Sequence, residues 1–178
     1  GDFLCVHRYE GDAWTLVPAS SEACFQSYQQ RPGLAASSTG SLFVARAAGQ
    51  AQLAEWSSNA WSSEVVDPTP MNNWWPAVTV TAAGPVVAWV TSVIVSTSLR
   101  MAVWARQRIG ADWVELGNSA TGTGLGIATV ASAVALATSP HGEPVVAWSD
   151  GVLYLRYWTG SVWAEVFGSA PVGIYPGG

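Results

Sequence analysis

Tryptophan recurs in this chain at a nearly constant interval, and that interval restricts the folds open to it. Equivalent tryptophans stand at positions 14, 61, 113 and 163 of the 178 residues, so the spacing is close to 50. Self-similarity at a fixed period is the signature of repeat architectures, in which each repeat is one small supersecondary unit. The chain therefore holds a few such units in series.

Two short motifs accompany these tryptophans. Pro-Val-Val-Ala-Trp occurs at Pro85–Trp89 and Pro144–Trp148, with a weaker copy at Ser41–Arg46. Its β-branched and aromatic residues are typical of a strand, and Pro at the first position removes no needed donor. The second motif pairs two aromatic strands around a turn, as at Leu155–Val166. Related copies occur at Val6–Leu16 and Leu53–Val65, and at Ala102–Gly117, where we expect a longer turn.

Each unit is predicted to contain four strands. The innermost is small and apolar, followed by the Pro-Val-Val-Ala-Trp strand and the two aromatic strands. A period near 50 with several short strands indicates all-β β-propeller blades, about three complete four-stranded blades plus a half blade, and leaves open that they are part of a larger propeller. No segment shows the apolar periodicity of an amphipathic helix. The predicted organisation is a single β-propeller segment over residues 1–178, with a half blade at 2–18, complete blades at about 31–66, 74–117 and 131–168, and a tail at 169–178.

The motifs resemble the β-propeller repeats of large secreted and surface proteins of bacteria, whose blades read "P-V-V-A-W … L-R-Y-W-x-G … W-x-E-L-G". The resemblance covers nearly the whole chain, with its best copy at Pro144–Gly168 and its worst at Leu34–Val66. It implies an architecture and an extracellular, cell-surface or periplasmic location. It does not imply a ligand, because propellers host unrelated functions.

Charge is scarce and acidic. Only 11% of residues are charged, no Lys is present, and the formal net charge is -5. Such a chain lacks the basic surface that binds nucleic acid or anionic lipid. Two long stretches with almost no charge would suit membrane spans by length, but the repeat explains both better, so we expect no membrane span.

The two cysteines, Cys5 and Cys24, both lie near the N-terminus and outside any CxxC motif. A disulfide between them would suit an oxidising compartment. The alternative is two buried free thiols.

The strand count does not close a ring. Three blades and a half blade leave about two strands missing, and the tail is short and rich in Pro and Gly. An open edge exposes unpaired donors and acceptors. We therefore expect either an excerpt of a longer polypeptide or edges that pair with other protein chains.

Few residues suggest chemistry. His7 and His141 stand apart from any metal-ligand spacing, and the Gly122–Gly126 loop lacks the Lys and helix of a phosphate loop. Glu64, Glu115 and Glu165 follow the repeat tryptophans, which favours a structural role such as pairing with Arg on a neighbouring strand. We expect no catalytic residue, no metal and no cofactor.

The sequence leaves three hypotheses for function. The first is a non-catalytic interaction or structural module of a surface or extracellular assembly. The second is a lectin-like, carbohydrate-binding propeller, with Asn72, Asn73, Trp74 and Trp75 as the binding residues, although packing between blades would also explain the two tryptophans. The third, a propeller-type hydrolase fragment, has the least support because the inner strands carry no acids.

Overall fold

The computed structural model describes residues 2–17, 24–27, 31–69, 73–128 and 133–166, with the backbone alone for residues 2–4, 10, 24–27 and 128. This part of the chain contains strands and no helix, which confirms the predicted all-β chain. The strands are β1 (Asp2–Cys5), β2 (His7–Glu10), β3 (Ala13–Leu16), β4 (Cys24–Ser27), β5 (Gly33–Ala36), β6 (Leu42–Ala47), β7 (Ala51–Ser57), β8 (Ala60–Val65), β9 (Asn73–Thr81), β10 (Gly84–Val95), β11 (Ser98–Ile109), β12 (Asp112–Glu115), β13 (Gly126–Ala128), β14 (Val134–Thr138), β15 (Pro144–Ser149), β16 (Leu153–Trp158) and β17 (Trp163–Glu165).

Three antiparallel sheets make up most of the molecule. Strands β5–β8, β9–β12 and β14–β17 each form a meander in which every strand pairs with the next in sequence. Short β13 also pairs with β11, at Met101 and Ala102 near the start of β11. No closed sheet occurs among the described strands.

The N-terminal strands form two further pairs. Strands β2 and β3 make a hairpin in which Tyr9 lies opposite Trp14. The pairing of β1 with β4, which the sequence did not predict, sets Cys5 directly opposite Cys24.

The three meanders meet through their first strands. Strand β9 packs against β5 and β6 on one side and against β14 on the other. At the start of β5 the contact is backbone to backbone, because a Cβ on Gly33 would lie 2.8 Å from the Cα of Ala77 and 2.8 Å from the amide N of Val78. At the end of β14 the Thr138 hydroxyl lies 2.8 Å from that of Thr79 and 2.9 Å from the Val80 carbonyl oxygen.

The middle sheet is buried on both faces. One face of β10 and β11 packs with residues of β6 and β7 around Trp89 and Trp104, and the other packs with β15 around Val103 and Trp148. This explains the apolar run Pro85–Val90 of β10, because a strand covered on both sides has no exposed face for polar residues.

The third copy of the aromatic motif differs from its prediction. Strand β11 continues to Ile109 and reaches β12 through a tight turn, so no longer turn follows Trp104. Trp104 instead lies opposite Trp89, with the two rings edge to face at 6.3 Å. Strands β10 and β11 run on past β9 as a hairpin arm, which leaves Ile94 and Leu99 exposed as a cross-strand pair.

Substitution of Gly33 tests the contact between first strands. Gly33→Ala is expected to lower the free energy of unfolding by about 1–3 kcal/mol, because the new methyl group meets rigid backbone and the two strands must separate. Urea denaturation followed by tryptophan fluorescence measures the change. Leu34→Ala on the same strand, at an exposed side chain, serves as the control and should change stability by less than about 0.5 kcal/mol. Equal stability of Gly33→Ala and the unchanged protein would contradict the close approach.

Candidate functional site

Three of the residues predicted to bind carbohydrate, Asn73, Trp74 and Trp75, lie at the start of β9. Asn73 is only 2% exposed, and neither its amide nitrogen nor its amide oxygen has a hydrogen-bond partner within the described residues. Asn72 lies outside those residues. Trp74 and Trp75 are half-buried and pack against the cluster shared by the second and third meanders, with their ring centroids 6.5 Å apart. Packing between sheets, the alternative interpretation of these tryptophans, therefore accounts for part of their surface.

A β-bulge sets the orientation of Trp75. Strand β9 pairs Ala77 with Ala88 and Trp74 with Val90, so Trp75 and Pro76 together oppose the single residue Trp89. Trp75 has φ 48°, a left-handed conformation that costs a bulky residue roughly 1–2 kcal/mol. Bulges commonly re-aim a side chain next to a binding site.

The bulge faces a small pocket where the first strands begin. This pocket has a volume of about 170 Å³ and combines the Trp75 ring with the exposed Arg31 side chain. Its other lining residues come from the starts of three strands: Pro32, Gly33, Pro76, Ala77, Ala133 and Val134. The pocket is smaller than a typical ligand cleft of roughly 300–1,000 Å³, so it fits one ring or a small group.

A larger cleft opens at the opposite end of β5 and β9. It has a volume of about 570 Å³ and lies between the β5–β6 turn and the β9–β10 turn. Hydroxyl side chains form much of its wall: Ser37, Ser38, Thr39, Ser41 and Thr81. Glu55 and Arg108 also line the cleft. The sequence analysis missed this site, because Glu55 and Arg108 belong to different repeats and nothing in their spacing links them.

Arg108 joins two meanders through a pair of carboxylates. Its guanidinium lies 2.7 Å from Glu55 and 2.7 Å from Glu64, and it covers the ring of Phe43 at 5.8 Å. Burial alone would lower the pKa of Arg108, but hydrogen bonds and charge attraction from Glu55 and Glu64 outweigh it and raise the pKa. The Arg108 side chain therefore stays cationic between the two meanders.

The three repeat glutamates take three different roles. Glu165 pairs with Arg156 on the neighbouring strand at 3.0 Å, as predicted. Glu64 instead binds Arg108 of the next meander, and Glu115 accepts hydrogen bonds from the amide of Ala120 and the hydroxyl of Thr121. Equivalent positions in the repeat therefore do not share one partner, because the neighbouring loops and sheets differ.

The two histidines lie apart from any metal-ligand spacing in the sequence. His7 and His141 are both exposed. Across the described ranges, no group of three or more His, Cys, Asp and Glu side chains is placed to hold a metal ion.

No protein-family model matches the chain, and no curated protein matches it.

In the part of the chain that the structure describes, no helix has the length and apolar character needed to cross a membrane.

Removal of Arg108 is expected to leave two carboxylates facing each other between the meanders. Arg108→Met should lower the free energy of unfolding by about 1–3 kcal/mol, with a smaller loss at high salt because ions screen the repulsion of Glu55 and Glu64. Urea denaturation at low and at high sodium chloride measures both effects.

Arg100→Met is the matched control, since Arg100 is exposed on the hairpin arm and makes no ion pair within the described residues. It should cost less than about 0.5 kcal/mol at either salt concentration. An equal loss of stability in both variants would show that removal of any arginine charge, rather than removal of the bridge between two meanders, lowers the free energy of unfolding.

Proposed function

We propose that the chain is a non-catalytic β-propeller interaction module of an extracellular or surface-associated bacterial assembly. The observation that carries the proposal is the packing of β9 between β5 and β14, because blades of a propeller meet through their first strands. In each meander the strands pair in sequence order starting from this shared contact, so the fourth strand is the last in the order.

The proposed radial arrangement of the meanders also accounts for the small residues of the first strands and the large residues of the outer strands. The first strands approach closely at Gly33 and Ala77, where only small residues fit. The third and fourth strands carry paired aromatic rings, with centroid distances of 5.5 Å for Trp56–Trp61 and 5.7 Å for Trp158–Trp163. Large side chains suit the outer strands, where diverging blades leave more volume to fill.

The interaction surface proposed is the hairpin of β2 and β3. Tyr9 and Trp14 form the same aromatic pair at 5.4 Å, so this hairpin corresponds to the two outer strands of a blade. Yet Tyr9 is 55% exposed and Trp14 is 70% exposed, whereas Trp56 and Trp61 are 8% and 9% exposed. Within the described residues no strand pairs with the second edge of β2. Such an uncovered edge is a template for a strand from another protein chain or from the rest of a longer polypeptide.

An oxidising location remains part of the proposal. The register that sets Cys5 opposite Cys24 suits a disulfide, because directly opposed residues of antiparallel strands have Cα atoms about 4.5–5.5 Å apart and disulfides need about 4.4–6.8 Å. The bond itself stays a prediction. Its formation would lower the intact mass by two hydrogen atoms relative to the reduced protein.

Association through the hairpin gives a direct test. In sedimentation velocity over a range of protein concentrations, the chain should form oligomers, because pairing at β2 satisfies open backbone groups and covers apolar rings. Trp14→Glu places a charge on this surface and should shift the sedimentation distribution to the monomer. Val162→Glu, at an exposed apolar side chain of the third meander, is the control and should leave association unchanged. A monomer at every concentration would count against the proposed surface.

Carbohydrate binding is the second candidate function, and the bulge at Trp75 favours it. An indole held in a strained backbone conformation beside a guanidinium offers a flat apolar face and hydrogen-bond donors, which suits one sugar ring. A glycan array followed by calorimetry on the hits tests this candidate. Binding should fall at least tenfold in Trp75→Ala and remain in Trp14→Ala, whereas the absence of any glycan response would remove lectin activity from consideration.

A further inference from the structure

We propose that the cleft between the β5–β6 turn and the β9–β10 turn is a binding site for a neutral, polyhydroxylated ligand such as a hexose or a cyclic polyol. The site is separate from the Trp75 pocket and does not depend on closure of a ring. It follows from the shape of the gap between β5 and β9 and from the chemistry of its walls.

The gap is a consequence of how the first strands diverge. Strands β5 and β9 touch through backbone at Gly33, whereas Ala36 and Val80, further along the same two strands, line opposite walls of the cleft. On its other side β9 is tied to β14 at this end, through Thr138 and the Val80 carbonyl oxygen. Strand β9 is thus held toward the third meander, and a space of about 570 Å³ opens toward the first.

Only some of the hydroxyl groups in the walls of the cleft are engaged in hydrogen bonds within the described part of the chain. Ser37 is engaged with Thr39 at 2.8 Å and accepts the amide of Ser41 at 3.0 Å, so the turn is held in shape. The hydroxyls of Ser38 and Ser41 make no hydrogen bond to any described residue and are free to donate or accept. They form one side of a polar lining.

The floor of the cleft combines the Arg108 cation with the carboxylate of Glu55. One oxygen of Glu55 binds Arg108 at 2.7 Å, and its other oxygen is left as an acceptor for a ligand hydroxyl. Hydrogen bonds to ionised groups are roughly twice as strong as neutral ones, and they need no counter-charge from the ligand. Because two carboxylates, Glu55 and Glu64, face the single Arg108 cation, this group has more negative than positive charge and disfavours an anion.

The volume of the cleft and the chemistry of its lining residues indicate the same class of ligand. A cleft of this size lies within the range of small-molecule sites, which combine apolar surface with a few placed polar groups. Val80 and Pro85 supply apolar surface for the C–H face of a ring, and the serines and Glu55 face its hydroxyls. A flat aromatic ligand would leave these polar groups unpaired, at a cost in affinity, and the excess of carboxylate charge would repel a phosphate.

The experiment titrates the full chain with glucose, galactose, mannose and myo-inositol, with inorganic phosphate and benzoate as contrasting probes. Saturation-transfer NMR and calorimetry should show saturable binding of at least one polyol in the millimolar range and no binding of the two anions. Thr39→Trp fills the cleft from an exposed turn position and should weaken binding at least tenfold.

A matched control exists in the third meander. The Ser139–Glu143 turn has the same backbone hydrogen bonds as the Ser37–Ser41 turn, so His141→Trp is the equivalent substitution outside the cleft and should leave affinity within about twofold. Glu55→Gln, which keeps the shape and removes the charge, should weaken binding less than Thr39→Trp does.

Trp75→Ala separates this site from the second candidate function. Binding retained in Trp75→Ala and lost in Thr39→Trp assigns the ligand to the cleft, whereas the reverse assigns it to the Trp75 pocket and overturns the proposal. Failure of every polyol to bind, or equal binding by Thr39→Trp and the unchanged protein, would also overturn it. None of these outcomes depends on whether the chain associates through β2 and β3.

Discussion

The close approach of β5, β9 and β14 is the contact on which the rest of the structure depends. Two meanders meet at Gly33 without an intervening side chain, and two meet through the hydroxyls of Thr79 and Thr138. In the proposed propeller, the faces of successive sheets would diverge from this line of first strands. The aromatic pairs Trp56–Trp61 and Trp158–Trp163 lie away from this contact, on the third and fourth strands.

Burial follows from the same geometry. The middle sheet has a neighbour on each side, so Trp89 is completely buried and the apolar residues of β10 serve two clusters rather than one. The N-terminal hairpin lacks such neighbours within the described residues, and its Tyr9 and Trp14 remain exposed despite an aromatic pairing like that of the outer strands. The contrast shows that position next to other sheets, rather than residue type, decides whether these rings are covered.

Local sequence patterns predicted the strands more successfully than they predicted the partners that each strand would contact. The Pro-Val-Val-Ala-Trp strands and the aromatic hairpins could be inferred because β-propensity and turn residues act over a few positions. The longer turn expected after Trp104 was wrong, since the cross-strand partner of Trp104 is Trp89 and no short-range signal shows that choice. The β1–β4 pair joins segments without a repeat motif, so it was missed as well.

Sites between repeats were the hardest to predict. Trp75 was named as a binding residue, but the bulge that aims it arises from pairing with β10 and has no sequence marker beyond Pro76. The cleft at Glu55 and Arg108 needs two sheets to be placed side by side before its residues meet. A sequence read one repeat at a time contains no information about such a contact.

Proton–proton contacts around β9 give the most direct test of this account. A NOESY spectrum of isotopically labelled protein should show contacts from the Gly33 α-protons to the Ala77 α-proton and the Val78 amide proton, and between the side-chain protons of Thr79 and Thr138. Contacts on both sides of β9 would establish that three sheets share one line of first strands. Contacts on one side alone, as in two stacked layers, would contradict the arrangement.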